Sequence, residues 1–212
     1  MTPVELCGGA VAAAALDRLT DVPVPAPDRA DVAARPATGR AEVHAARVLL
    51  RRLLAEVAGP GAAAASLRAR PHGQPYLADR PEIGISLSHT DGWVAVAVHP
   101  GAAVGVDIQA PVPVGDGLLR KCCTPATREV LAGLPAAARA AAFARVWTVQ
   151  EACVKVTGRG IAGLPWTIPV EPCQHRGRWG DVRWTALPDR WPLPVAFAHL
   201  AGRTEGACRC PT

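Results

Sequence analysis

The chain has 212 residues, 50% of them hydrophobic, and 23 Lys and Arg against 18 Asp and Glu give it a net charge of +5. That length allows one sizeable core or two small lobes that share one. Its 20 glycines and 21 prolines fall short of a low-complexity bias, and no run reaches the roughly 18 to 20 apolar residues of a membrane-spanning helix.

Seven cysteines, at positions 7, 122, 123, 153, 173, 208 and 210, form an odd set without a CxxC pair. Neither a zinc site nor a disulfide framework is therefore expected. Reduced thiols in the cytoplasm are the better reading, with Cys208 and Cys210 part of a frayed end. The basic excess is arginine, because Lys121 and Lys155 are the only lysines. Arginines scattered without interleaved aromatics, and no helix-turn-helix pattern, argue against a nucleic-acid partner.

In chain order, the apolar run 11–16 follows Glu5 and no basic residue, unlike a secretory signal. The proline-rich stretch 22–36 reads as a loop with a short helical turn. A clear amphipathic helix follows over 40–58. Val43, Ala46, Leu50, Leu53, Leu54 and Val57 share one side, and Gly59 with Pro60 ends it. Its arginines at 40, 47, 51 and 52 lie on other faces, either as a solvated surface or as an anion contact. "EIGISLSHTDGWVAVAV" (82–98) predicts a hairpin turning at Thr90-Asp91-Gly92. "AVGVDIQ" (103–109) predicts a third strand with Val104, Val106 and Ile108 on one face and Gly105, Asp107 and Gln109 on the other. Helical material is expected from 118 to 158, then short strands at about 166–170, 178–187 and 195–200. This arrangement predicts an α+β fold of two similar lobes, residues 1–103 and 104–212.

The chemistry-bearing residues are few. Asp107 in an apolar strand needs a counter-charge or a metal, since a buried carboxylate without a partner is costly; a loop cap or an arginine partner would also serve. Gln109, two residues on, leaves the same face. Trp147, Glu151 and Lys155, four apart in "WTVQEACVK", form one line along a helix. Glu151 and Lys155 suit a simple i, i+4 ion pair, but apolar neighbours predict burial, where such a pair is seldom kept for stability alone. Hard oxygen donors without sulfur or imidazole favour magnesium. Ser88 and His89, at the end of the hairpin's first strand, offer a hydroxyl and an imidazole beside turn amides. Those three together would cradle an anion, although a single histidine there is commonly structural.

Taken together, "HGQPYL", "ISLSHTDGW", "GVDIQ" and "FARVWTVQEACVKVTGRG", in this order over residues 72–160, resemble the motif series of the two-lobed 4'-phosphopantetheinyl transferases that serve polyketide and peptide synthetases. The helix at 40–58 is similar to that family's arginine-containing N-terminal helix. The resemblance implies a magnesium-dependent monomer that moves the phosphopantetheine arm of coenzyme A to a serine of an apo acyl or peptidyl carrier protein, releasing 3',5'-ADP. It assigns Asp107, Gln109 and Glu151 to the metal, and Glu151, or a water it orients, to the serine proton. It assigns Lys155 to the leaving-side phosphate, and Ser88 and His89 to the phosphates of coenzyme A. Gly73, Gln74 and Pro75 would meet the adenine, Arg40 or Arg47 the 3'-phosphate, and Trp147 would pack. Three positions depart from the family pattern. Gln109 stands where many relatives carry Glu, Gln150 where they carry Lys, and Thr127 where an acid is common, with Glu129 the nearest carboxylate. These departures leave open a homologue that binds carrier protein or coenzyme A with weakened turnover.

Overall fold

The computed structural model describes residues 2–201; Cys208 and Cys210 lie outside the described residues. Two four-stranded antiparallel sheets dominate. The first has the order β1 (Val4–Leu6), β2 (Gly9–Ala15), β6 (Trp93–Pro100), β5 (Ile83–Thr90). The second runs β7 (Val104–Ile108), β10 (Val195–Leu200), β9 (Val182–Ala186), β8 (Arg176–Trp179). A small ribbon pairs β3 (Leu67–Ala69) with β4 (Pro75–Leu77). Helix α1 (Arg29–Ala33) leads into the long α2 (Arg40–Ala63), and α3 (Asp116–Cys122) and α4 (Pro125–Ala132) precede the long α5 (Ala136–Thr157). The architecture is α+β in two lobes, as the element order predicted.

The sheets pack face to face. Val11, Ala13, Ala95 and Ala97 meet Val104, Val106, Val195 and Phe197 between them. Alternate residues of the first sheet, Ala10, Ala12, Val94 and Val96 among them, turn outward to Leu49, Leu50, Leu53 and Leu54 of α2. On the far side, Val149, Ala152 and Cys153 of α5 cover Val182, Trp184, Ala196 and Ala198. Strand β2 thus lies between a helix and a second sheet. Its alanines, poor strand formers alone, are held extended by packing that only small side chains permit.

Local chemistry explains the joints. The β5–β6 turn is two residues long with Asp91 at φ 36° and Gly92 at φ 75°, the pair of positive dihedrals that suits the twist of a tight hairpin. At Gly59, φ 82° breaks the helical path, and a further short turn follows through Pro60. Two expectations change. No strand forms at 166–170: Pro165–Thr167 is a 3-10 turn. The carbonyls of Ile168 and Val170 accept instead from Gln150 of α5 and Thr127 of α4. The strand expected over 178–187 is two strands, β8 and β9, parted by Gly180 at φ 56°. Among the described residues, no helix is long and apolar enough to cross a membrane.

Candidate active site

Where the lobes meet, β7 lies beside β5 and beneath α5. Gly105 allows this approach, because a β-carbon there would collide with the Ala152 carbonyl of α5 and crowd Lys155. The side of β7 that carries Gly105 and Asp107 therefore faces α5, and Asp107 is 6% exposed. Lys155 Nζ lies 2.7 Å from Asp107 Oδ1 and donates to the Val106 carbonyl at 3.0 Å. From β5, Ser88 Oγ donates to the same Asp107 oxygen at 2.6 Å. The ammonium expected to face a phosphate is, in this structure, the counter-charge of Asp107.

Three hydroxyls of β5, at alternate positions, stitch the lobes together, a row that sequence reading missed. Ser86 accepts the Val106 N–H at 3.0 Å, Ser88 binds Asp107, and Thr90 accepts the Ala110 N–H at 3.3 Å. The signal was present in the Ser-x-Ser-x-Thr alternation, but a row of hydroxyls does not name its partner.

Glu151 lies one helical turn before Lys155. Burial pushes its carboxyl above the ordinary carboxylate range, and the nearby Asp107 carboxylate adds to that, with Lys155 opposing both. Its Oε1 is buried without a hydrogen-bond partner. Leaving a buried carboxylate oxygen unmet is expensive, and here a second carboxylate raises the cost, so the pair calls for added positive charge. Oxygen donors alone, few in number, suit magnesium, which completes its shell with water and phosphate oxygens. Among the described residues, no group of three or more His, Cys, Asp or Glu gathers for a metal. Gln109, just past β7, spends its amide nitrogen on the Ala110 carbonyl at 3.0 Å and lines an apolar groove with Leu118, Phe143 and Trp147.

A cavity of about 310 Å³ opens on the other face of β5 and contains Arg47, Arg68, Gly73, Pro75 and His89 in its walls. Ser88 and His89, expected on one rim, occupy opposite faces because strand neighbours alternate: the hydroxyl is buried against Asp107, and the imidazole is exposed at the cavity. Arg47 binds Asp31 at 2.8 Å. Burial pushes the Asp31 carboxyl up, but its bonds to Arg47 and Arg35 prevail and hold it below the usual range. Arg40 does not line this cavity; its guanidinium caps the Arg35 carbonyl at 2.7 and 3.1 Å. Gln74 bridges to α5, donating to the Lys155 carbonyl at 3.3 Å.

The departures from the family pattern read differently in three dimensions. Gln150 is buried and its amide clamps the Cys122 and Ile168 carbonyls at 2.8 and 2.9 Å, away from the carboxylate pair. Thr127 is wholly buried and donates to Val170, while Glu129 is exposed. Trp147 stacks on Phe143 with ring centroids 6.4 Å apart. Cys122, Cys123, Cys153 and Cys173 are free thiols. Burial pushes Cys123 up to about 11 and Cys153 to about 12, which makes both poor nucleophiles.

Fold and site thus define a two-lobed α+β protein with a close carboxylate pair where the lobes join, next to a cavity whose walls mix Arg35, Arg47 and Arg68 with Asp31 and Glu42. Residues 103–198, from the start of β7 into β10, match the 4'-phosphopantetheinyl transferase superfamily. The L-aminoadipate-semialdehyde dehydrogenase-phosphopantetheinyl transferase of Eremothecium gossypii is 33% identical over 155 residues, 66% of this chain and 53% of that protein. The 4'-phosphopantetheinyl transferase HetI of a Nostoc species is 34% identical over 132 residues, 59% and 55% respectively. The 4'-phosphopantetheinyl transferase psf-1 of Bacillus pumilus is 32% identical over 91 residues, 43% and 39%. Over residues 103–198 the chain is similar to the 4'-phosphopantetheinyl transferase superfamily, and it spans about half the length of the curated relatives it matches.

Proposed function

We propose that this protein transfers the phosphopantetheine arm of coenzyme A to a serine of an apo acyl or peptidyl carrier protein, releasing 3',5'-ADP. The observation that carries the reading is the unpartnered Glu151 oxygen beside Asp107, one strand's thickness from the cavity of Arg47 and His89. Asp107 and Glu151 would hold magnesium, and the Gln109 oxygen is left over as a third donor. Bound there, magnesium would neutralise charge on the diphosphate and on the departing group.

The remaining steps belong to the chain's own side chains. Arg47 and His89 bind the phosphates of coenzyme A in their cavity, with Gly73 and Pro75 against its base. Coenzyme A then takes over the charge that Asp31 satisfies on Arg47 in the structure. The carrier serine oxygen forms a bond to the phosphorus that bears the pantetheine arm, as the bond from that phosphorus to the bridging oxygen breaks. The serine proton passes to Glu151, or to a water it orients; a carboxyl held above the usual range is a better base than an exposed one. Lys155 supplies the ammonium that neutralises oxygens on the leaving side.

The natural division falls at residue 103, with coenzyme A bound mainly by the first lobe and the metal by the second. Both halves of the site come from one chain, so a monomer suffices. The net charge of +5 would steer an acidic carrier toward it, and reduced thiols suit the cytoplasm. A second reading, a homologue that binds without turnover, draws on Gln109 and Gln150 in place of charged residues. Incubation with coenzyme A, magnesium and apo carriers separates the two. A mass gain of one phosphopantetheine arm, dependent on magnesium, supports transfer; none at high enzyme on any carrier tried supports binding alone.

A further inference from the structure

A larger cavity, about 500 Å³, lies on another side of the molecule and shares no wall residue with the Arg47 cavity. It forms where the end of β2, the turn after it, α2 and the β9–β10 connection come together. Arg18, Arg52 and Arg190 contribute from three separate segments, with Trp93 and Trp191 beside them. Arg52 and Arg47 are five residues apart on α2, so they leave it about 140° apart, and one helix serves two cavities.

Its composition is one-sided. No wall residue is acidic, and among the described residues none of the three guanidiniums has a hydrogen bond or an ion pair. The contrast with Arg47, met by Asp31, and Arg51, met by Asp28, is direct. Three like charges around one space repel each other unless an anion enters, and the planar fork of each suits an oxyanion. Trp93 and Trp191 are partly buried and packed on the core between the sheets, so their rings are fixed rather than floating. Fixed indoles offer flat faces to a ring, and the volume suits a small ligand.

We propose that this cavity is a second ligand site, for a small molecule that joins a flat aromatic ring to a phosphate or carboxylate. The proposal stands independently of the transferase reading, because no residue of the carboxylate pair or of the Arg47 cavity takes part.

Indole N–H resonances of the full chain provide the test, with 1-naphthyl phosphate, 1-naphthol and inorganic phosphate as probes. The site predicts saturable binding of 1-naphthyl phosphate that shifts Trp93 and Trp191 first, with either fragment alone at least about tenfold weaker. The combined Arg18→Ala, Arg52→Ala and Arg190→Ala variant should weaken it by more than about tenfold, and Arg47→Ala should leave it unchanged. All three arginines are exposed, so the variant should fold; Arg190→Ala alone, in a loop, should give the same ordering with a smaller loss. No saturable shift in the millimolar range, equal binding by the triple variant, or binding lost in Arg47→Ala would overturn the proposal.

Discussion

The two long helices, α2 and α5, each turn a charged group inward, Arg51 fully buried and Glu151 half-buried, and they treat it in opposite ways. On α2, Arg51 is met on every side: two nitrogens reach Asp28 at 2.7 and 2.8 Å, and a third reaches the Ala63 and Ala65 carbonyls at 3.2 and 2.6 Å. On α5, Glu151 keeps a buried oxygen that nothing meets, beside a second carboxylate. A buried charge whose bonds are complete holds the fold together. One whose bonds are incomplete adds cost to the folded chain, and a ligand is the natural remedy. The same contrast separates Arg51 from the three unmet arginines around the larger cavity, while Arg47 stands between them, bound to Asp31 yet with its buried Nε lacking a hydrogen bond.

The sharpest break in that comparison is Glu151→Gln. It should lower turnover by about two orders of magnitude or more without loss of melting temperature, measured by single-turnover transfer and thermal unfolding. Arg51→Met should do the reverse. Stranding Asp28 in the core costs about 3 to 5 kcal/mol, read from urea unfolding, while the folded fraction keeps its KM for coenzyme A. Arg47→Ala should raise that KM about tenfold with little change in kcat, the loss of one charge-assisted contact. Asp31→Asn, which leaves Arg47 only the more distant Asp28 carboxylate at 4.0 Å, should lower KM.

The smallest effect is on pH. In the folded chain the Glu151 carboxyl titrates above its ordinary 4.5, chiefly from burial and then from Asp107. The folded state therefore holds that proton more tightly than the unfolded one, and ionisation costs stability as pH rises through the raised value. Glu151→Gln should be the more stable protein at neutral pH, and its advantage over the unsubstituted chain should fade below pH 4.5. An advantage that grows in acid would show the sign to be wrong.

Much of this was legible in the residues themselves. The period of α2, the tight turn at Asp91-Gly92 and the alternation of β7 are local patterns, and local patterns survive folding. Asp107, Glu151 and Lys155 stood out because charge inside apolar runs is rare. What the chain order hid were the relations between elements. Ser86 and Thr90 read as an ordinary strand face, and Ser88 as part of an anion cradle, until β7 lies beside them, and the alanines of β2 show their packing role only between two layers. Gln150 reads as a charge lost from the site until its amide is seen clamping two carbonyls elsewhere. At 166–170, apolar residues suggested a strand because nothing local reveals that their carbonyls bond side chains of α4 and α5.

The most direct test of the central claim is calorimetric titration of magnesium into the protein with coenzyme A present. The account predicts one ion per chain, with affinity lost in both Asp107→Asn and Glu151→Gln while coenzyme A still binds. Magnesium bound with undiminished affinity by both variants would contradict it.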